Sequence, residues 1–501
     1  MENKGKGSGQ KNKQKTDAVS SAENLFRTQS VWKSIASLAV PAVVIILVMI
    51  IYNMTDLFFI GRLGDTAKVA AISLASPVFS LVSAVATMIG GGGSVLAANA
   101  LGNHETDQAR RIASLCFWAA VIFGVILCAA ILLGADLLLP FLGATEETWD
   151  DTKAYLTVCA FGEPFMLATM AMGSVIRSEG AIKEGVIGNL GANIVNIVLD
   201  PVFIFGFGWG VAGAAAATVL ANVFGTCWYL YYAYHREGAI LNMNPALALQ
   251  EIGTLPGLLF LGLPTALSTL LTGFASTFSN RILASYSTDA VAAMAAAGKT
   301  TMVIGMLQIG MCNGVQPLMA YNYGAKDMAR LKEILRKMAI LTVAVGTVSG
   351  LFCLAARGPI IGLFLTEEAA ASLGETMIPY LVIASPVIGL FYLATNFIQA
   401  SGHAAPATLL SLLRQGIFLI PLLYLMSALL GLNGIAAAHM VADVLSSAVG
   451  VALLIRHVRK LDRSGREQPP ERKPTSGNAE DPAAAPKAAE DPAAAPKASE
   501  G

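Results

Sequence analysis

The sequence predicts an all-α integral membrane protein: twelve transmembrane helices in two pseudo-symmetric six-helix bundles with a central cleft. Three observations predict it. Of 501 residues, 55% are hydrophobic and only 13% charged, about half the charged share of a soluble domain. Twelve apolar runs are each long enough for about 30 Å of hydrocarbon, which takes roughly 20 helical residues. The landmarks of the first half also recur in the second at an almost constant spacing.

In order, the runs lie at 33–60, 69–100, 110–134, 154–178, 182–206 and 211–235, then at 255–283, 290–320, 330–356, 376–400, 405–430 and 434–457. None alternates polar and apolar residues as a barrel strand does. In lipid, a single segment satisfies its own backbone only as a helix. The first run holds Pro41 and a polar turn in IIYNMTDLFFIGRLG. The second holds four glycines at 90–93, which follow no strand and precede no GK[ST]. They read as a place where helices approach closely or bend, not as a phosphate cradle. The fourth carries Glu163 before Pro164, the fifth a stripe of Asn193, Asn196 and Asp200, and the sixth Thr218. In the second half, Lys299, Met302, Met306 and Met311 fall inside the eighth run, and His439 and Asp443 share a face of the twelfth.

Lysine and arginine gather on one side: the amino tail, Arg110 and Arg111, Arg177 and Lys183, Arg236, the loop from Lys326 to Lys337, and Arg456 to Lys460. That asymmetry places both termini in the cytoplasm. Residues 1–30 have no apolar centre and read as a disordered tail, not a signal peptide. Residues 461–501 repeat AEDPAAAPKA at 479–488 and 489–498 and read as a second disordered tail. Between them, 31–235 form an amino lobe, 236–254 a cytoplasmic linker and 255–460 a carboxy lobe. Balanced charge, 33 basic against 33 acidic residues without a long basic stripe, argues against nucleic-acid binding. Six scattered cysteines show no metal spacing and read as packing.

The repeat is specific. Pro41 in LAVP and Pro264 in LGLP stand 223 residues apart; Gly102 and Gly324, Pro164 and Pro386, and Gly180 and Gly402 each stand 222 apart. Six spans is an even number, so the halves share one topology about an axis along the membrane normal. Two such bundles leave a cleft that opens to either face, the architecture of alternating access. A duplicated structural or receptor scaffold is the alternative.

Charges inside apolar runs identify the candidate site, because each costs at least about 2.5–3.5 kcal/mol at the bilayer centre. Asp56 follows a long apolar stretch, with Tyr52 one helical turn earlier on the same face. It is either a proton or cation acceptor or an interfacial acid paired with Arg62. Asn193, Asn196 and Asp200 form one stripe at spacings of three and four. Their oxygens suit a hard monovalent cation or a protonatable acid; interhelical hydrogen bonding is the other reading. Thr218 adds a hydroxyl. Pro41 leaves a carbonyl unpaired and permits a bend, so it is a hinge candidate. Glu163 and Lys299 are secondary candidates. No metal is expected beyond Na+ at Asp56 and Asp200, and no cofactor beyond H+ or Na+ as coupling ion.

With these residues assembled, the chain resembles the multidrug and toxic compound extrusion (MATE) family of bacterial antiporters, most closely its DinF-like members. The resemblance covers about residues 30–460. It rests on Pro41 with YNMTDLFFIGRLG, RSEG at 177–180, NIVNIVLDPVFIFGFGWGVAGAAAAT and QPLMAYNYGA at 316–325. It implies efflux of drugs or organic cations driven by inward proton or sodium flow across a bacterial plasma membrane. It also implies an amino-lobe cation site at Asp56, Asn196, Asp200 and Thr218, with Tyr52 beside it and Pro41 as the bending proline. Two departures stand out. Gly173 occupies a position that is Asn in many relatives, and Thr272 and Asn396 stand where a carboxy-lobe acidic site would be.

The expected function is therefore secondary active multidrug efflux, exchanging amphipathic or cationic organic compounds for H+ or Na+. The expected partners are drug-like small molecules and the bilayer, with the chain as a monomer. A lipid-linked oligosaccharide flippase is the alternative, although its pyrophosphate calls for a more basic cleft than Arg62, Arg281 and Lys299 provide. An intramembrane enzyme is disfavoured, since the chain lacks HExxH and any GxSxG with suitable partners.

Overall fold

The computed structural model describes residues 23–467, apart from 63–65, 237 and 366. Six helices build the first half: α1 (Val31–Gly61), α2 (Thr66–Gly102), α3 (Thr106–Leu142), α4 (Trp149–Ser178), α5 (Ile182–Pro201) and α6 (Gly210–His235). The second half contains α7 (Leu255–Ala284), α8 (Thr288–Gly324), α9 (Met328–Ala355), α10 (Glu368–Ile383), α11 (Ser385–Ala400), α12 (Ala404–Leu412), α13 (Ile420–Leu430) and α14 (Leu432–Glu467). Eleven spans are long and apolar enough to cross a membrane, and the bent pair α10–α11 supplies a twelfth. Among the described residues no strand interrupts them.

Two spans depart from simple helices, each for a local reason. The tenth bends by 47° between Ile383 and Ser385. Pro386 donates no backbone N–H there, and Gln308, fully buried on α8, donates through Nε2 to the carbonyls of Ser385 (2.8 Å) and Thr342 (3.1 Å). The side chain thus ties α8 to the start of α11 at the break and to the middle of α9. The eleventh widens to a π-helix over Leu413–Leu419. Pro421 has no N–H for the carbonyl of Ile417, and the wide turns absorb that missing bond.

The expected tails need correction at their inner ends. Residues 24–28 form a short π-helical turn, with Phe26 fully buried and its ring 5.2 Å from that of Tyr321. Arg330 Nε donates to Phe26 O and Arg330 Nη2 to Gln29 O, each at 2.7 Å, so a guanidinium captures carbonyls that a free tail would give to water. At the other end α14 continues to Glu467, seven residues past the expected boundary at 460. The remainder of both tails lies outside the described residues.

The two halves meet at one end of the bundle, the end where α1 begins. A Cβ on Gly92 would overlap the Leu258 carbonyl, and one on Gly262 would overlap that of Met88, so α2 and α7 cross with backbones in contact. Gly310 and Gly314 of α8 receive Ile46, Ala42 and Leu38 of α1 in the same way. Asn99 Nδ2 closes the end, donating to Ala400 O at 3.2 Å. The glycines at 90–93 do bring helices close, as their sequence implied: Gly90 faces Ala171 of α4 and Gly93 faces Cys116 of α3. Small-residue crossings of this kind replace the hydrophobic drive that lipid removes.

Residues 236–254 run along the first half. Glu179, in the turn after α4, accepts from the Ile240 backbone N–H at 2.7 Å and from the Tyr232 hydroxyl. Ser114 Oγ donates to Asn244 O at 2.8 Å, Trp118 Nε1 to Met243 O at 3.0 Å, and Arg111 pairs with Glu251 at 3.0 Å. The Asn244 side chain caps the short helix Pro245–Gln250 by accepting from Ala246 N.

Candidate functional site

The amino-lobe candidates assemble where α5 meets α6. The i, i+4 spacing puts Asn196 and Asp200 on one face of α5, and that face is buried: Asp200 is 0% exposed and Asn196 2%. Thr218 lies opposite on α6, half-buried. One amide orientation of Asn196 satisfies both its ends. Its Nδ2 then donates to Asp200 Oδ2 at 3.0 Å, while Oδ1 accepts from the Thr218 N–H at 3.1 Å and the Thr218 hydroxyl at 3.2 Å. Pro201 follows at once, and a π-helical segment spans Val202–Gly206. Without a proline N–H, the Ile197 carbonyl lacks its helical donor. The group therefore combines a fully buried acid, an amide, a hydroxyl and loosened backbone carbonyls.

The first helix contributes less that can be described. Asp56 belongs to α1 near its end, but its side chain, like that of Asn53, lies outside the described residues. α1 packs directly on α5, and Phe59 meets Phe205 edge-on with centroids 6.3 Å apart. Asp56 and Asp200 thus sit on neighbouring helices. Tyr52 is half-buried, and α1 passes through Pro41 without interruption. Asn193 hydrogen-bonds to Asn189 at 3.5 Å, one turn back, not to the Asp200 group.

The secondary candidates separate. Glu163 is 1% exposed, and its Oε2 has no hydrogen-bond partner among the described residues. It precedes Pro164, which packs so closely on α3 that a Cβ at Gly124 would overlap it. Lys299 is exposed on α8 and forms no hydrogen bond or ion pair among the described residues. Gly173, the departure on α4, has a structural cause. The Tyr229 ring, fully buried, fills the space, with its hydroxyl 2.8 Å from where a Cβ would stand. That hydroxyl donates to Gly185 O at 2.9 Å, tying α6 to α5.

A half-buried charge inside the eleventh span escaped the sequence. Arg414, in the π-helical segment of the eleventh span, donates through Nε to Asp443 Oδ1 at 2.8 Å and through Nη1 to the Tyr392 hydroxyl at 3.2 Å. His439 stands within 3.3 Å of Ser279 Oγ instead of sharing the Asp443 pair. No signal pointed to Arg414, because its partner lies on another helix and the widened turn changes the face it presents.

The MatE family profile matches residues 41–202 and again 264–425, two copies that begin at Pro41 and Pro264. The chain belongs to the MatE family. Multidrug export protein MepA of Staphylococcus saprophyticus is 29% identical over 441 residues, 88% of this chain and 97% of that protein. MepA of Staphylococcus aureus strain NCTC 8325 is 29% identical over 443 residues, with the same coverage. Solved structures share the fold. A MATE protein in complex with MaL6 superposes with a TM-score of 0.83 at 22% identity, covering 88% of this chain and 99% of that one. A Pyrococcus furiosus transporter of the MOP superfamily gives 0.82 at 21%, covering 88% and 98%. MatE membership accounts for the two-lobe, twelve-span architecture and for a multi-pass membrane protein.

Proposed function

We propose that this chain exports amphipathic, cationic organic compounds by alternating access, in exchange for H+ or Na+, with coupling in the amino lobe. The observation that carries the reading is the buried Asn196–Asp200–Thr218 group. An acid with no exposure in a lipid-embedded lobe is costly to ionise, so its charge state and the packing around it are coupled. Protonating Asp200, or seating Na+ among its carboxylate, the Asn196 oxygen and the Thr218 hydroxyl, removes that cost. Asp56 on the adjoining α1 is assigned to the same site, and Tyr52 and Pro41 to its response. MepA relatives named for multidrug export support the substrate class.

The lysine and arginine distribution puts both termini in the cytoplasm of a bacterial plasma membrane. The glycine-sealed end of the bundle is then the cytoplasmic end, and the cleft of this state faces outward. The chain acts as a monomer on drug-like small molecules. The decisive measurement is dye efflux from membrane vesicles with pH and sodium gradients imposed separately. One gradient should drive efflux, and Asp200→Asn and Asp56→Asn should each reduce it at least about tenfold at equal expression, a barrier or coupling loss near 1.4 kcal/mol. Full gradient-driven efflux in both variants would falsify coupling at this site.

A further inference from the structure

The carboxy lobe holds a cavity of about 150 Å³ between α7, α8, α11 and the eleventh span. Most of its lining residues carry polar groups, although apolar atoms cover more of the wall, and Arg414 is the one charged side chain among the described residues that line it. We propose that this cavity is a carboxylate-binding subsite in which Arg414 recognises the anionic end of zwitterionic amphiphiles. Its use in transport rests on the export function proposed above; the binding itself does not.

Three features argue for it. First, the guanidinium is incompletely used. Nε and Nη1 are engaged by Asp443 and Tyr392, but Nη2 donates to no described group, and the side chain keeps 16% exposure. The unengaged Nη2 is a charged donor that suits one carboxylate oxygen. Second, the wall offers further donors selectively. Thr269, Thr272 and Thr395 hydrogen-bond to carbonyls one turn back in their own helices. Ser268 and Asn313 form no side-chain hydrogen bond among the described residues, so both are available to a ligand. Third, the π-helical segment turns consecutive residues toward the same space. Arg414 lines the cavity, and Gln415 Nε2 donates to Thr272 Oγ1 on its wall at 3.3 Å. Wide turns of this type recur at functional sites.

The volume admits a carboxyl with an attached ring, since a water takes about 30 Å³; it cannot enclose a whole drug, so the site is an end-group pocket. The internal repeat sharpens the point. Gln415 lies 222 residues after Asn193, so the eleventh span is the counterpart of α5. The amino-lobe helix brings an acid into the lipid-embedded core, and its counterpart brings a base. Asp443 partly neutralises that base and tunes its strength.

Purified full-length protein should be titrated with norfloxacin, a zwitterion, and with its methyl ester, which has the same rings and amine but no carboxylate. The wild type should bind the zwitterion roughly tenfold more tightly, a difference of about 1.4 kcal/mol. Arg414→Gln should erase the preference by weakening the zwitterion, and should not weaken the cationic ester. Asp443→Asn should widen it, because the guanidinium loses its competing anion. If Arg414→Gln fails to fold with Asp443 unpaired, Arg414→Gln with Asp443→Asn restores a neutral pair and should show the same loss of preference. Equal wild-type affinities, or equal weakening of both probes in the variants, would overturn the subsite. Preferential binding without gradient-driven efflux would instead overturn the export function and leave the subsite standing.

Discussion

At the scale of single residues, burial decides which polar groups matter. Asn196 and Asp200 are nearly inaccessible, and their hydrogen bonds account for why both are tolerated in an apolar helix. Glu179 shows the same logic outside the membrane. Burial pushes its carboxyl up from 4.5 to about 6, against the pull of the Ile240 N–H, the Tyr232 hydroxyl and Arg236, with Glu184 adding to the rise. The folded protein therefore holds this proton more tightly than the unfolded chain. The contribution to stability is fully present below about pH 4.5 and is lost as pH rises through about 6, amounting to about 2 kcal/mol. Detergent-solubilised protein should unfold at a lower temperature at pH 7 than at pH 5, by a few degrees. Glu179→Gln, which has no proton to lose over that window, should flatten the difference. An unchanged slope in the variant would assign the pH dependence to other groups.

At the scale of elements, the closed end of the bundle depends on two helices crossing at glycines. Gly92 and Gly262 let α2 and α7 touch through backbone atoms, and a methyl group at Gly262 has only the Met88 carbonyl to enter. Gly262→Ala should therefore separate the lobes at that end at a cost of about 1–3 kcal/mol. In a background without native cysteines, Asn99→Cys should react faster with a membrane-impermeant maleimide once Gly262→Ala is added, by at least severalfold. Equal rates would mean that the crossing tolerates the methyl and does not gate the end. The sequence disclosed these elements unevenly. Long apolar runs marked every span, because lipid leaves no other backbone solution, and the i, i+4 spacing of Asn196 and Asp200 revealed their shared face. The bend before Ser385 was not legible, since a proline at a helix start and one at a break look alike until Gln308 is found bonded to the Ser385 carbonyl at the break. Phe26 and Arg414 were hidden for a related reason. Each is fixed by a partner hundreds or tens of residues away, Tyr321 and Asp443, and only packing brings such pairs together.

At the scale of the whole molecule, a buried acid in one lobe and a paired arginine in the other constrain how ion and substrate affect one another. A ligand shifts an equilibrium between inward and outward states only by its difference in affinity for them. If the coupling cation at Asp200 favours one state and substrate the other, each must weaken the other by the same factor, with typical coupling of 1–3 kcal/mol or about 5–150-fold. The closed end described here is held by contacts on helices other than α5, at the glycine crossing and at the Asn99–Ala400 bond. The coupling should therefore pass through the position of whole helices, not through direct contact of drug and cation. Equilibrium titrations of the purified protein should show substrate affinity falling as the coupling cation is raised, and cation affinity falling by an equal factor as substrate is raised. Asp200→Asn should abolish both effects together while leaving substrate affinity at the cation-free value or the cation-loaded value, but not between them. Two unequal factors, or a variant that loses one effect and keeps the other, would mean that drug and ion do not act on a common pair of states.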